Sequence, residues 1–178
     1  PVLPNEPTSE PASEPPTAKS CGGVTLKGLK VLAVDDDELM GLVLTSALQK
    51  LGADMAQSRV LGVNACEQGC IVDVALGRRD PALLEPCRGQ PLPPADIVVL
   101  DQHIDCDGRQ SKLGTDVAAE LRQQGFDGLI MLHSASSPEE QDLTEHPAID
   151  GTIAKGVPLT KFARDVLTAY DSRMNRQR

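Results

Sequence analysis

The stretch "GLKVLAVDDDELM", residues 28–40, sets a short apolar run, Val31 to Val34, directly before three aspartates and a glutamate. A run this short is no helix by itself, and unbroken apolarity marks a strand buried on both faces of a parallel sheet. Acids packed this closely repel one another and lose hydration beside an apolar core. The cluster therefore costs free energy unless positive charge sits among them. The source of that charge has to be sought elsewhere in the chain.

Outward from this stretch, strand-like and helix-like segments alternate. "DELMGLVLTSALQKLG" (37–52) reads as a helix with Leu39, Val43 and Leu51 near one face and Gly52 as its stop. "DIVVL" runs into Asp101 and is followed by a polar loop, "QHIDCDGRQSKLG", and a helical "GTDVAAELRQQG". "GLIML" leads to His133, Ser134 and a polar helix candidate, "SPEEQDLTEH". Last come "GTIAK" and "PLTKFARDVLTAYDSRM", where Pro158 suits a first helical turn and Leu159, Phe162, Val166 and Tyr170 share a face. Residues 53–94 are longer than one strand–helix unit requires, with a short strand expected near "ADMAQS", a helix from about Asn64 to Gly77 and a proline-rich loop. Such alternation implies right-handed crossovers and an α/β fold whose mostly parallel sheet is covered on both sides.

The chain has 178 residues, enough for one core of ordinary domain size with a remainder for tail or insertion. Phe126, Phe162 and Tyr170 are its only aromatic residues, so the core must be aliphatic. A net charge of −9 with no basic face excludes attraction to nucleic acid or to an anionic membrane surface. No apolar run spans a membrane and no signal peptide opens the chain, while Pro1 in place of Met is expected of a fragment or processed product. Five cysteines without repeated Cys-x-x-Cys spacing point to a reducing, cytoplasmic setting. Residues 1–26, with six prolines by Pro16, read as a flexible tether; the domain is expected over 27–174, extended around 53–94, with 175–178 as a tail.

Ligands of open α/β sheets bind beyond the carboxyl ends of the strands, where the strand order reverses. Four strand ends here carry Asp35 with Asp36, then Asp101, then Ser134, then Lys155. Three carboxylates, one ammonium and one Mg²⁺ sum to zero charge, and oxygen-only ligands suit that hard cation. Mg²⁺ and Lys155 are the expected positive partners of the opening acids.

Taken in order, "LKVLAVDDDELM", "DIVVLD", "LIMLHSAS" and "GTIAKG" resemble the receiver domain of response regulators over residues 28 to about 174. The resemblance implies a flavodoxin-like, doubly wound five-stranded parallel sheet in the order 2-1-3-4-5, with helices on both faces. It implies Asp101 as phosphoacceptor, Asp36 as direct Mg²⁺ ligand, Asp35 as a ligand through water, and a contribution from the His103 backbone carbonyl. Ser134 matches the family's Ser or Thr that bonds one phosphoryl oxygen, and Lys155 the lysine that pairs with another. The phosphoryl group would come from a phosphohistidine on a histidine kinase or histidine phosphotransfer protein. The expected parent is a larger signalling protein such as a hybrid histidine kinase. No turnover is expected beyond Mg²⁺-dependent self-phosphorylation and autodephosphorylation.

Two positions depart from the family pattern. Thr152 stands where an aromatic switch residue is usual, and Gly156 replaces the proline after the lysine. The loop after Asp101 is also long, with Gly114 matching the family's glycine and the usual proline missing. These departures leave phosphoryl chemistry in place and favour, as an alternative, a pseudoreceiver that binds proteins without being phosphorylated. A haloacid-dehalogenase-type hydrolase needs an acid two residues after its nucleophile, and His103 occupies that position.

Simpler readings attach to the remaining candidates. Asp37 and Glu38 suit a solvated helix N-terminus. Cys66 and Cys70, on a face with Val63 and Val74, suit core packing better than a metal site. His133 reads as a partly buried polar residue that the phosphoryl chemistry does not need.

Overall fold

The computed structural model describes residues 25–106, 110–135 and 146–176. Its strands are β1 (Val31–Val34), β2 (Arg59–Leu61), β3 (Ile97–Asp101), β4 (His103–Cys106), β5 (Gln110–Leu113), β6 (Leu129–Ser134) and β7 (Gly151–Ala154). Its helices are α1 (Glu38–Lys50), α2 (Ala65–Ala75), α3 (Gly114–Gln123) and α4 (Leu159–Arg176). Five strands form one parallel sheet in the order β2-β1-β3-β6-β7. This is the expected doubly wound 2-1-3-4-5 order, because β4 and β5 pair only with each other, as an antiparallel hairpin set between β3 and α3.

The sheet divides two aliphatic layers. Leu32, Val34, Val98, Leu100, Ile130 and Leu132 face α2 and α3, meeting Ile71, Val74, Ala118 and Leu121. Their strand neighbours Val31, Ala33, Val99, Leu129, Met131 and Ile153 face α1 and α4, meeting Leu44, Leu48, Phe162 and Val166. Side chains alternate across each strand, so apolar residues at every position are what a sheet covered on both faces requires.

Several local expectations need correction. In α1 the buried face is Gly41, Leu44 and Leu48, whereas Leu39 is 71% and Val43 53% exposed. Asp37 sets that register: its side chain caps the helix by accepting from the Met40 amide at 2.9 Å, which fixes where the first turn starts. The second strand lies at Arg59–Leu61, just beyond "ADMAQS", whose Asp54 instead anchors a turn by accepting from the Ala56 amide at 3.0 Å. In α2, Cys70 and Val74 are buried, but Cys66 and Val63 are exposed. The polar loop after Asp101 folds as the β4–β5 hairpin.

The helix expected at "SPEEQDLTEH" and residues 1–24 of the tether lie outside the described residues. Leu26 is already part of the core, fully buried, with its amide donating to Leu51 O at 2.7 Å. No helix among the described residues is long and apolar enough to cross a membrane.

Candidate functional site

Register brings the polar strand ends together. Val34 of β1 pairs with Leu100 of β3, Asp101 with His133 of β6, and Ser134 with Ala154 of β7. Asp35, Asp101, Ser134 and Lys155 therefore emerge at one edge of the sheet. Two glycines permit close backbone approach there. A Cβ at Gly62, where φ is +128°, would lie 2.7 Å from Asp35 O, and one at Gly114 would lie 2.2 Å from Asp101 O.

Lys155 Nζ lies 2.8 Å from Asp101 Oδ2 and 2.9 Å from Asp35 Oδ2. One ammonium is thus shared by two carboxylates, and both acids are buried. Burial pushes the Asp101 carboxyl above its usual range more strongly than the Lys155 hydrogen bond and charge pull it down, with the Asp35 charge adding to the upward push. Burial of Lys155 works against its charge, but its interactions with Asp101 and Asp35 outweigh that effect and raise its pKa. The two shifts are consistent: for Asp101 burial outweighs the lysine's pull, and for Lys155 the two nearby carboxylates outweigh its burial.

Asp36 completes the group, since Asp35, Asp36 and Asp101 each present a carboxylate oxygen within 4.8 Å of the others. Asp36 Oδ2 also accepts from the Asp105 amide in β4 at 3.0 Å. The residues fit a hard divalent cation by two tests. The donors are all carboxylate oxygens, and Asp35 Oδ2, with no exposure, meets the Lys155 ammonium but no well-aligned hydrogen-bond donor. With Lys155 counted, three carboxylates leave two negative charges uncompensated, the charge of one Mg²⁺.

The Ser134 side chain is buried at the end of β6, and its carbonyl accepts from the Lys155 amide at 2.7 Å, which fixes the start of the turn after β7. His103 opens β4, and its backbone amide faces the Asp101 carboxylate. Thr152 is half-buried in β7, and Gly156 adopts φ +82°, a conformation closed to proline. His133, on the opposite side of β6 from Ser134, is buried under α4 with its ring edge-on to Phe162 at 6.1 Å.

Sequence reading missed two polar clusters. The Asp150 carboxylate binds Arg122 at 2.6 Å, Arg173 at 2.7 Å and the Ile130 amide at 2.8 Å, locking α3 and α4 to the start of β6. Gln68 of α2 reaches the hairpin. A buried arginine–aspartate pair 28 residues apart leaves no local pattern to read, and a glutamine inside an apolar helix face was the one available signal for the second.

No protein-family model matches the sequence, and neither does any curated protein. Solved structures do match in fold. A CheY-like response regulator receiver domain protein from Methanospirillum hungatei is 14% identical at a TM-score of 0.58, over 84% of this chain and 99% of that one. The signal receiver domain of a modulated diguanylate cyclase from Desulfovibrio desulfuricans is 20% identical at a TM-score of 0.56, over 84% and 99%. NtrX from Brucella abortus, 16% identical at a TM-score of 0.58, matches over 84% of this chain but only 29% of its own length. The chain has the receiver-domain fold.

Proposed function

We propose that this chain is a phosphoacceptor receiver domain, taking a phosphoryl group from a phosphohistidine onto Asp101 with Mg²⁺. The observation that carries this reading is the single ammonium of Lys155 bridging Asp35 and Asp101, with Asp36 beside them. One ammonium offsets only one of the three carboxylates, so an ion pair alone does not account for the third acid. In the transfer, an Asp101 oxygen forms a bond to phosphorus as the phosphorus–nitrogen bond to the donor histidine breaks; the bond pair stays on that nitrogen, and a proton carried on the other ring nitrogen of the phosphohistidine leaves the imidazole neutral. Lys155 and the Ser134 hydroxyl meet the phosphoryl oxygens, and Asp35, Asp36, Asp101 and the His103 carbonyl would hold Mg²⁺. That ion supplies charge neutralisation for the transferring group.

The donor would be a histidine kinase or histidine phosphotransfer protein, with the domain, which takes in Leu26 and runs through α4 to Arg176, joined to its parent by the segment before it in a cytoplasmic setting. Thr152 and the backbone of Gly156 favour a second reading, a pseudoreceiver that binds partners without phosphorylation. Beryllofluoride, a phosphoryl mimic, separates the two. A receiver gains thermal stability from Mg²⁺ with beryllofluoride beyond what either gives alone, and loses that joint gain in Asp101→Asn. A pseudoreceiver gives no joint effect.

A further inference from the structure

Gln68 is a polar side chain on the face where α2 buries Ile71 and Val74, and it is 4% exposed. Its Nε2 donates to two carbonyls at once, Gly62 O at 2.7 Å beyond the end of β2 and Asp105 O at 2.8 Å in β4. Its Oε1 is buried without a hydrogen-bond partner among the described residues. A half-satisfied buried amide is a poor choice for stability alone, because its unpaired oxygen has given up water for nothing. An apolar side chain of similar length would spare that oxygen but would leave the Gly62 and Asp105 carbonyls without this donor. The presence of the amide is explained by what it holds.

It holds the backbone at Asp105. Gln68 grips the carbonyl of that residue, while the amide of the same residue donates to Asp36 Oδ2 at 3.0 Å. Asp36 is only partly buried and its side chain accepts no other hydrogen bond among the described residues, so the Asp105 amide is what selects its orientation. Gln68 also ties Asp105 to Gly62, whose own backbone lies against Asp35. Both opening acids are thereby referenced to the first arm of the hairpin.

We propose that Gln68 is a positioning residue for the divalent-cation site: acting through the Asp105 backbone, it holds the Asp36 carboxylate toward Asp35 and Asp101. The inference rests on reading these three acids as a Mg²⁺ site. Partners that orient metal-binding carboxylates typically change affinity about 10–100-fold when removed.

The test is a calorimetric Mg²⁺ titration of the full chain, with the thermal midpoint in a chelator measured alongside. Gln68→Met keeps the volume and deletes the donor; Asp105→Pro deletes the amide that Asp36 accepts. Each is expected to weaken Mg²⁺ binding by about 10-fold or more, and the metal-free midpoint of Gln68→Met separately reads the loss of its two hydrogen bonds. The double variant should lose no more than the weaker binder of the two, since both act on one clasp. Wild-type affinity in Gln68→Met, a lowered midpoint with unchanged affinity, or losses that multiply would overturn the inference. If Gln68→Met does not fold, wild-type affinity in Asp105→Pro overturns it. Failure of the wild type to take up Mg²⁺ is a separate result, which removes the metal-site reading and this inference with it.

Discussion

Gly114 stands against the backbone of Asp101, where a Cβ would be 2.2 Å from the Asp101 carbonyl oxygen and 3.0 Å from Leu132 Cδ2. Its amide donates to Gln102 O at 2.9 Å, so the start of α3 is tied to the residue after Asp101. A backbone oxygen cannot swing aside as a side chain can. Gly114→Ala is therefore expected to push α3 from β3 and cost about 1–3 kcal/mol, the usual penalty of overpacking. Urea unfolding measures this, and an unchanged midpoint would show that the contact is not needed.

His133 gives a pH dependence. Burial depresses its pKa, the Lys155 charge pushes the same way, and the Asp35 charge opposes both. As pH falls below the unfolded histidine value of about 6.5, the unfolded chain takes up the proton first. Stability from this group is thus full above that value and is lost as pH falls toward the folded pKa. Asp101, with a raised pKa, works in the opposite sense, since the folded state binds its proton first. Comparing variants isolates the histidine: His133→Leu should flatten the loss of stability as pH falls below about 6.5 by up to ~1.4 kcal/mol per pH unit. Identical slopes in variant and wild type would contradict a buried neutral His133.

The chain order of strands and the acids at their ends were legible in the sequence because each depends on a local pattern, a short apolar run followed by a polar residue. "VLAV", "DIVVL" and "LIML" keep both faces apolar, which marked them as central strands; the first two stop at Asp35 and Asp101, and the third is followed by His133 and then Ser134, which reaches the site. The face of α1 was misread because Leu39, Leu42 and Val43 are apolar yet exposed, and only the Asp37 cap fixes which way the helix turns. The hairpin was hidden because "QHIDCDGRQSKLG" is too polar to announce strands; among its described residues Ile104 is the one large apolar side chain that is fully buried. Gln68 and Asp150 act across long sequence separations, so their partners could be found only in three dimensions.

Asp150 is expected to matter for stability more than any acid of the site. Its carboxylate, 8% exposed, satisfies two arginines and the Ile130 amide. Arg122 also donates to Phe126 O, Gly128 O and Ala148 O, which makes it the hub between α3 and the approach to β7. Asp150→Ala leaves partly buried guanidinium charge without its partner, a loss of about 3–5 kcal/mol. A chemical-denaturation change under about 1 kcal/mol would place the pair among surface ion pairs of little consequence.

The central claim is that Asp101, not the "DDDE" cluster, accepts the phosphoryl group. In the proposed reading Asp35 and Asp36 would serve a cation, while Asp101, at the next strand end, shares Lys155 with Asp35. Treating the protein with acetyl phosphate and Mg²⁺ and weighing the intact chain tests this directly. One phosphate is expected on wild type, none on Asp101→Asn, and much less on Lys155→Ala. Undiminished labelling of Asp101→Asn, or no labelling of wild type even by a competent histidine kinase, would contradict the account.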